Sequence, residues 1–205
     1  MKQAIVSDLD KLVKITSQLV EIIKFQSRKP IETVAIFDVS NSTGMKLELG
    51  HDHTIKKMFL HNQLCRQIIK RFNGQIVKEL GDGLLVRFQD PLNACLSAVN
   101  IQAATHMGEI PSKASLALGV IEEAKINNDV DIFGTTVDVC ARIEKYAFPN
   151  QILIDRTLYD IVKSHLKDYD IKISESMQTE LKGYGKHELY EISSEKFELL
   201  NKLKT

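Results

Sequence analysis

Along this chain of 205 residues, apolar positions switch between a period near 3.6 and a period of two, and the switches mark its elements. Leu9, Leu12, Thr16, Leu19 and Ile23, with Val13 and Val20 beside them, recur at heptad-like spacing and predict a helix over 7–25. Ser7 or Asp8 caps its start and Lys29-Pro30 closes it. Such a helix serves either to dimerise or to pack on its own domain. The run Val34-Ala35-Ile36-Phe37 is apolar throughout and predicts a central strand over 33–38. Ile55, Met58, Phe59, Cys65, Ile68, Ile69 and Phe72 repeat at three and four, which predicts a helix over 52–72 stopped by Asn73-Gly74. Gln75–Lys78 and Leu84–Phe88 flank the turn Gly81-Asp82-Gly83 as a hairpin, and Pro91 opens a helix carrying Leu92, Cys95, Leu96, Val99 and Ala103. Leu116, Leu118 and Val120 alternate as a strand, a further strand follows near 125–132, and Gly134-Thr135-Thr136 begins a helix that Pro149 ends. The C-terminal part reads as strand 151–154, helix 155–165, strands near 169–174 and 187–192, and a polar helical tail.

The order β-α-β-β-α-β predicts an α+β, ferredoxin-like core, with its first and third strands side by side. One domain over 31–193, an N-terminal helix over 1–30 and a C-terminal tail over 194–205 is the economical division. Composition narrows the function. Basic and acidic residues number 27 each, so no global field favours nucleic acid or an acidic membrane. A polyanionic substrate then needs a local site with a cation of its own. Cys65, Cys95 and Cys140 are far apart in apolar helical patterns and read as buried reduced thiols. No apolar run suffices to span a bilayer, and Met1-Lys2-Gln3-Ala4 has no signal-peptide core, so a cytoplasmic protein is expected.

In that topology Asp38, at the end of the first strand, meets Asp82, in the hairpin turn. Two converging carboxylates suit divalent metal, with few protein ligands and the rest from substrate phosphates. Taken singly, an Asp in a glycine-rich turn is only turn chemistry. The connection Asp38-Val39-Ser40-Asn41-Ser42-Thr43-Gly44 is small and polar, able to aim amides and hydroxyls at phosphate, or simply to cap a helix. Lys78 lies on the strand before Asp82, and Asp138 and Arg142 are four apart on one helix face, a spacing that also makes a surface ion pair. Lys182 stands in the flexible Leu181-Lys182-Gly183-Tyr184-Gly185. The six histidines have no metal-site spacing and read as structural or solvent-facing.

Four ordered motifs over about residues 32–193 resemble the class III nucleotidyl cyclase catalytic domain. They are Phe37–Thr43, Val77–Gly83, Asp131–Arg142, and Glu180–Gly183 with Glu188–Glu191. The resemblance implies that Asp38, Val39 and Asp82 hold two Mg²⁺ or Mn²⁺ ions. It implies that Arg142 stabilises the transition state, that Lys182 with Ser42 and Thr43 holds phosphates, and that Lys78 and Asp131 read the base. It also implies a head-to-tail homodimer whose sites combine metals from one chain with Arg142 from the other. Asp138 departs from the pattern, since most members carry a ribose-orienting asparagine there.

Lys78 with Asp131 is the adenylate pair, yet Leu60–Arg66, Val77–Gly83 and Gly134–Asp138 look most like the stand-alone pyrimidine cyclases of bacterial Pycsar anti-phage defence. That likeness implies UTP or CTP as substrate and a cyclic UMP or cyclic CMP product that activates an effector. Cyclic AMP synthesis is the alternative. A catalytically inactive nucleotide-binding domain is a second one, which Asp138 alone supports. An RNA-binding ferredoxin-like module fits poorly, because Phe37 and Phe88 come without a basic-aromatic motif.

Overall fold

Strand β2 (Ile31–Val39) has no side to show water: Val34, Ala35 and Phe37 are wholly buried, so it takes the middle of the sheet. The computed structural model describes residues 11–16, 24–25, 29–126 and 129–194. The hairpin β3 (Gln75–Leu80) and β4 (Gly83–Phe88) lies on one flank of β2, and β5 (Ser112–Val120) on the other. Both neighbours run antiparallel to β2, with Phe37 opposite Leu84 on β4 and Asp38 opposite Lys113 on β5. The expected pairing of the first and third core strands is therefore present. Beyond β5 the sheet continues through β8 (Ile152–Asp155), β11 (Gly185–Ser194) and β10 (Met177–Leu181), with β9 (Ile171–Ile173) paired to β11.

Alternation along β2 divides the core. Ala35 and Phe37 face the cluster built with α2 (His51–Arg71), α3 (Pro91–Met107) and α5 (Arg156–Val162). Val34 and Ile36 face Val139, Cys140 and Ile143 of α4 (Thr135–Glu144) on the opposite side. Asp38 continues the second row, which aims it to the α4 side of the sheet. Local signals set the helix ends. Asp90 accepts the Leu92 amide at 2.9 Å ahead of Pro91, and Asn73, at φ 56°, takes the left-handed turn after α2.

Several expectations are corrected. The helix expected over 7–25 is present over 11–16, but Lys24–Phe25 form strand β1, paired with β6 (Glu122–Ile126); the remainder lies outside the described residues. The strand expected over 125–132 is two strands, β6 and β7 (Asp129–Phe133), because the chain reverses between them. Helix α1 (Ser42–Leu49) and strand β10 were not foreseen; α1 buries only Met45 and so carries no amphipathic stripe. Helix 155–165 ends at Val162, with a 3₁₀ turn over Leu166–Tyr169. The tail beyond Ser194 lies outside the described residues, and Ser194 itself closes β11. Among the described residues, no helix is long and apolar enough to cross a membrane.

Candidate active site

The aspartate pair forms because two backbones leave it room. Leu80 pairs with Gly83, so Gly81 and Asp82 alone make the hairpin turn, with Gly81 at φ 73° as tight primed turns require. A Cβ on Gly83 would lie 2.8 Å from the Phe37 carbonyl oxygen and 2.9 Å from Asp38 Oδ1. Glycine there lets the turn close on Asp38. Burial, then the Asp82 and Glu144 carboxylates, push the Asp38 pKa up to about 7, against a weaker pull from Lys113, and a protonated Asp38 can donate to Asp82. Lys113 Nζ stands 3.8 Å from Asp38 Oδ2 but 2.5 Å from Glu144 Oε1, so its charge goes mainly to Glu144. Crowded, under-neutralised hard oxygens of this kind suit Mg²⁺ or Mn²⁺. Among the described residues, no group of three His, Cys, Asp or Glu is disposed to hold a metal, so two carboxylates with backbone, water or substrate oxygens fit such an ion.

The connection after Asp38 is shorter than its sequence suggests. Ser42 and Thr43 already form the first turn of α1, and Asn41, at φ 55°, caps it by accepting the Gly44 amide at 3.2 Å. Val39 is buried at the end of β2, and the Ser40 amide donates to the Pro111 carbonyl at 2.6 Å. The Ser40 hydroxyl is buried with no partner among the described residues, a spare polar group two residues from Asp38. Behind the strand end, His61 is fully buried and meets Ser112 Oγ at 3.1 Å; burial holds its pKa below the usual range. It is a structural histidine, as expected. The three cysteines are buried free thiols, and burial pushes Cys65 and Cys140 up to about 12.

A second pair crosses from β3 to β7. Lys78 Nζ donates to Asp131 Oδ2 at 2.6 Å, and Asp131 Oδ1 accepts the Ile132 amide at 2.8 Å. The ammonium also lies 5.8 Å from the centre of the Phe133 ring. Both partners remain partly open to solvent, at 42% and 25% exposure, which leaves them available to a ligand.

The third group sits on α4 and the β10–β11 turn. Asp138 lies in the first turn of α4 and Arg142 in its last. No ion pair joins them among the described residues; Asp138 Oδ2 instead accepts the Tyr184 hydroxyl at 2.7 Å. Tyr184 follows Lys182 in the turn, and Lys182 is exposed. The Tyr146 hydroxyl donates to the Glu180 carbonyl at 2.7 Å, a second tie between the end of α4 and β10. One chain thus brings Asp38 to Asp82, Lys78 to Asp131, and Asp138 to the Lys182 turn. No hydrogen bond or ion pair among the described residues links the aspartate pair to Lys78, Asp131, Arg142 or Lys182. Lys113, Glu144 and Tyr184 are site neighbours to which sequence reading gave no role, whereas Ser40 lay within the polar connection it singled out. Only strand register and helix packing bring them in.

Residues 112–194 match the family model described as the adenylate and guanylate cyclase catalytic domain. A curated relative from Rhizobium meliloti (strain 1021), named "Putative adenylate cyclase 3", is 32% identical over 128 residues. That match takes in 60% of this chain, and the chain spans only 22% of the relative's length. Among solved structures, the adenylyl cyclase CyaB from P. aeruginosa superposes with a TM-score of 0.70 at 19% identity, covering 84% of this chain and 97% of that one. The guanylyl cyclase Cya2 gives 0.71 at 19% identity, covering 82% and 93%. The fold of this chain is therefore that of adenylate and guanylate cyclase catalytic domains, and residues 112–194 match the sequence model of such a domain.

Proposed function

We propose that the chain is a metal-dependent nucleotidyl cyclase that works as a head-to-tail homodimer. In the reaction, the 3′-hydroxyl oxygen of a nucleoside triphosphate bonds to the α-phosphorus as the bond to pyrophosphate breaks, giving a 3′,5′-cyclic monophosphate. The observation that carries this reading is the convergence of Asp38 and Asp82 at one sheet end, crowded enough to push the Asp38 pKa up to about 7 without metal. Asp38, Asp82 and the Val39 carbonyl would hold two Mg²⁺ or Mn²⁺ ions, which supply Lewis acidity to the 3′-hydroxyl and the α-phosphate. Arg142 offsets charge on the α-phosphate in the transition state, and Lys182, Ser42 and Thr43 bind the outer phosphates. Among the described residues no hydrogen bond or ion pair joins the two groups within one chain, and in the dimer a partner's α4 and β10–β11 turn would cover the aspartates.

Lys78 donates and Asp131 accepts, so together they suit a base edge with an acceptor beside a donor. Uracil, cytosine and adenine all present one. The likeness of Leu60–Arg66, Val77–Gly83 and Gly134–Asp138 to pyrimidine cyclases favours UTP or CTP. The product would be a cyclic UMP or cyclic CMP messenger that activates an effector in antiviral defence. ATP is the second reading, supported by the Lys78 and Asp131 identities and by the name of the Rhizobium relative.

A product assay with ATP, GTP, CTP and UTP, each with Mg²⁺ and with Mn²⁺ and with Asp38→Ala as blank, tests the proposal. A cyclic pyrimidine product supports the first reading, and cyclic AMP the second. Triphosphate binding without turnover would leave a binding domain, for which Asp138 in place of asparagine is the reason to look.

A further inference from the structure

Asp138 raises a problem that its neighbours answer. A carboxylate beside a triphosphate is repulsive unless something restrains or offsets it, and Arg142, one turn along α4, makes no ion pair with it. The partner is Tyr184. Its ring packs on the Val139, Cys140 and Ile143 cluster, while its hydroxyl reaches Asp138 Oδ2 at 2.7 Å. The backbone beneath is fixed: Leu181 pairs with Gly185, the Tyr184 amide donates to the Leu181 carbonyl at 2.9 Å, and Gly183 and Gly185 take φ of 85° and 75°. Tyr146 clasps the other end of the same two elements through the Glu180 carbonyl.

We propose that Tyr184 is a positioning residue for the ribose of the bound nucleotide, acting through Asp138. This rests on the nucleotide-cyclase reading above. The phenol donates to one carboxylate oxygen, which restrains the rotamer and leaves Oδ1 as an acceptor. The tyrosine oxygen can accept as well, so the pair offers acceptors and no spare donor. Such a pair welcomes neutral O–H donors and turns phosphate away, which assigns it to the sugar hydroxyls and not to the triphosphate. An asparagine would offer a donor too, and so would discriminate less between the two ends of the ligand. The tie also places Lys182 at a set distance from Asp138, so ribose and outer phosphates are registered by one turn.

The test uses the full-length chain with Mn²⁺ and two probes of the base that the chain turns over fastest. One is the non-cyclisable α,β-methylene ribonucleotide; the other is its 2′,3′-dideoxy counterpart. Tyr184→Phe should weaken the ribonucleotide about tenfold, in line with loss of one hydrogen bond to a charged group, and leave the dideoxy probe unchanged. In an Asp138→Ala background, Tyr184→Phe should change neither. Asp138→Asn, which keeps an acceptor for the phenol, should retain most of the ribonucleotide affinity, and it carries the test should Tyr184→Phe unfold. Equal losses on both probes, an effect that persists without Asp138, or no effect at all would overturn the proposal while leaving the cyclase reading standing. A wild-type chain that binds neither probe would overturn both.

Discussion

Lys113 faces Asp38 across the β2–β5 ladder, yet gives its ammonium to Glu144 at 2.5 Å and stays 3.8 Å from Asp38. A cation is thus held beside the aspartate pair without saturating it. Glu144 restrains Lys113, and removing either partner should change metal affinity with opposite sign. Glu144→Gln frees Lys113 to swing to Asp38 and should weaken Mn²⁺ binding about fivefold; Lys113→Met should strengthen it by a similar factor. Titration of Mn²⁺ by electron paramagnetic resonance, without nucleotide, reads both. Changes of the same sign would mean that the pair acts only as a brace between β5 and α4.

The raised Asp38 pKa makes the metal-free fold sensitive to pH in a defined direction. The group titrates near 3.8 when unfolded and near 7 when folded, so between those values the folded chain holds a proton that the unfolded chain has lost. Its contribution to stability is complete below 3.8, falls as pH rises through the window, and is gone above about 7. In EDTA, Asp38→Asn should therefore raise the melting temperature at pH 8 by about 10 °C relative to its effect at pH 4. Parallel melting curves across pH for the two proteins would contradict this. Metal competes with that proton, so Mn²⁺ affinity should rise with pH through 7 and be accompanied by proton release.

Two glycines in one turn should respond differently to alanine. At Gly83 the new methyl meets the Phe37 carbonyl and the Asp38 carboxylate, so the turn must lift away. Gly83→Ala should cost about 1–3 kcal/mol of stability and abolish Mn²⁺ binding. At Gly81 nothing lies within 4 Å, and only φ of 73° is strained. Gly81→Ala should cost about 1–2 kcal/mol and keep the metal. Denaturant melts paired with Mn²⁺ titration separate the two.

The proposed head-to-tail dimer predicts rescue between dead chains. Asp38→Ala and Arg142→Ala should each be inactive, since every site then lacks a metal ligand or the arginine. In a mixed dimer one of the two sites has both, so equal mixing should restore about a quarter of wild-type turnover. No recovery on mixing, with dimers confirmed by sedimentation, would place all the site residues in a single chain.

How much of this was readable in the sequence depended on whether the signal was local. The Asp38–Asp82 meeting was legible because β2 is apolar throughout and the hairpin announces its own turn, so strand order alone brings the two together. Lys78 with Asp131 came from motif likeness, and strands β3 and β7 do bring them into contact. Lys113 was not legible: a lysine entering an alternating strand reads as solvent-facing, and only its register against Asp38 says otherwise. Tyr184 was invisible for a similar reason, since nothing in its turn points to a helix 46 residues earlier. The β6–β7 reversal has no Gly or Pro, and its sequence mark is only the polar break Asn127-Asn128-Asp129, which one continuous strand over 125–132 overrides.

Strand β2 is gripped on both edges and covered on both faces, and Asp38 stands at its end. The carboxylate is thus carried by a strand paired on both sides, with its backbone position settled before any ligand arrives. Metal uptake at that place is an exchange of charge and hydration, with almost no apolar surface left to hide. Its calorimetric signature should be a near-zero heat-capacity change, unlike the large negative value that accompanies a site which folds around its ion.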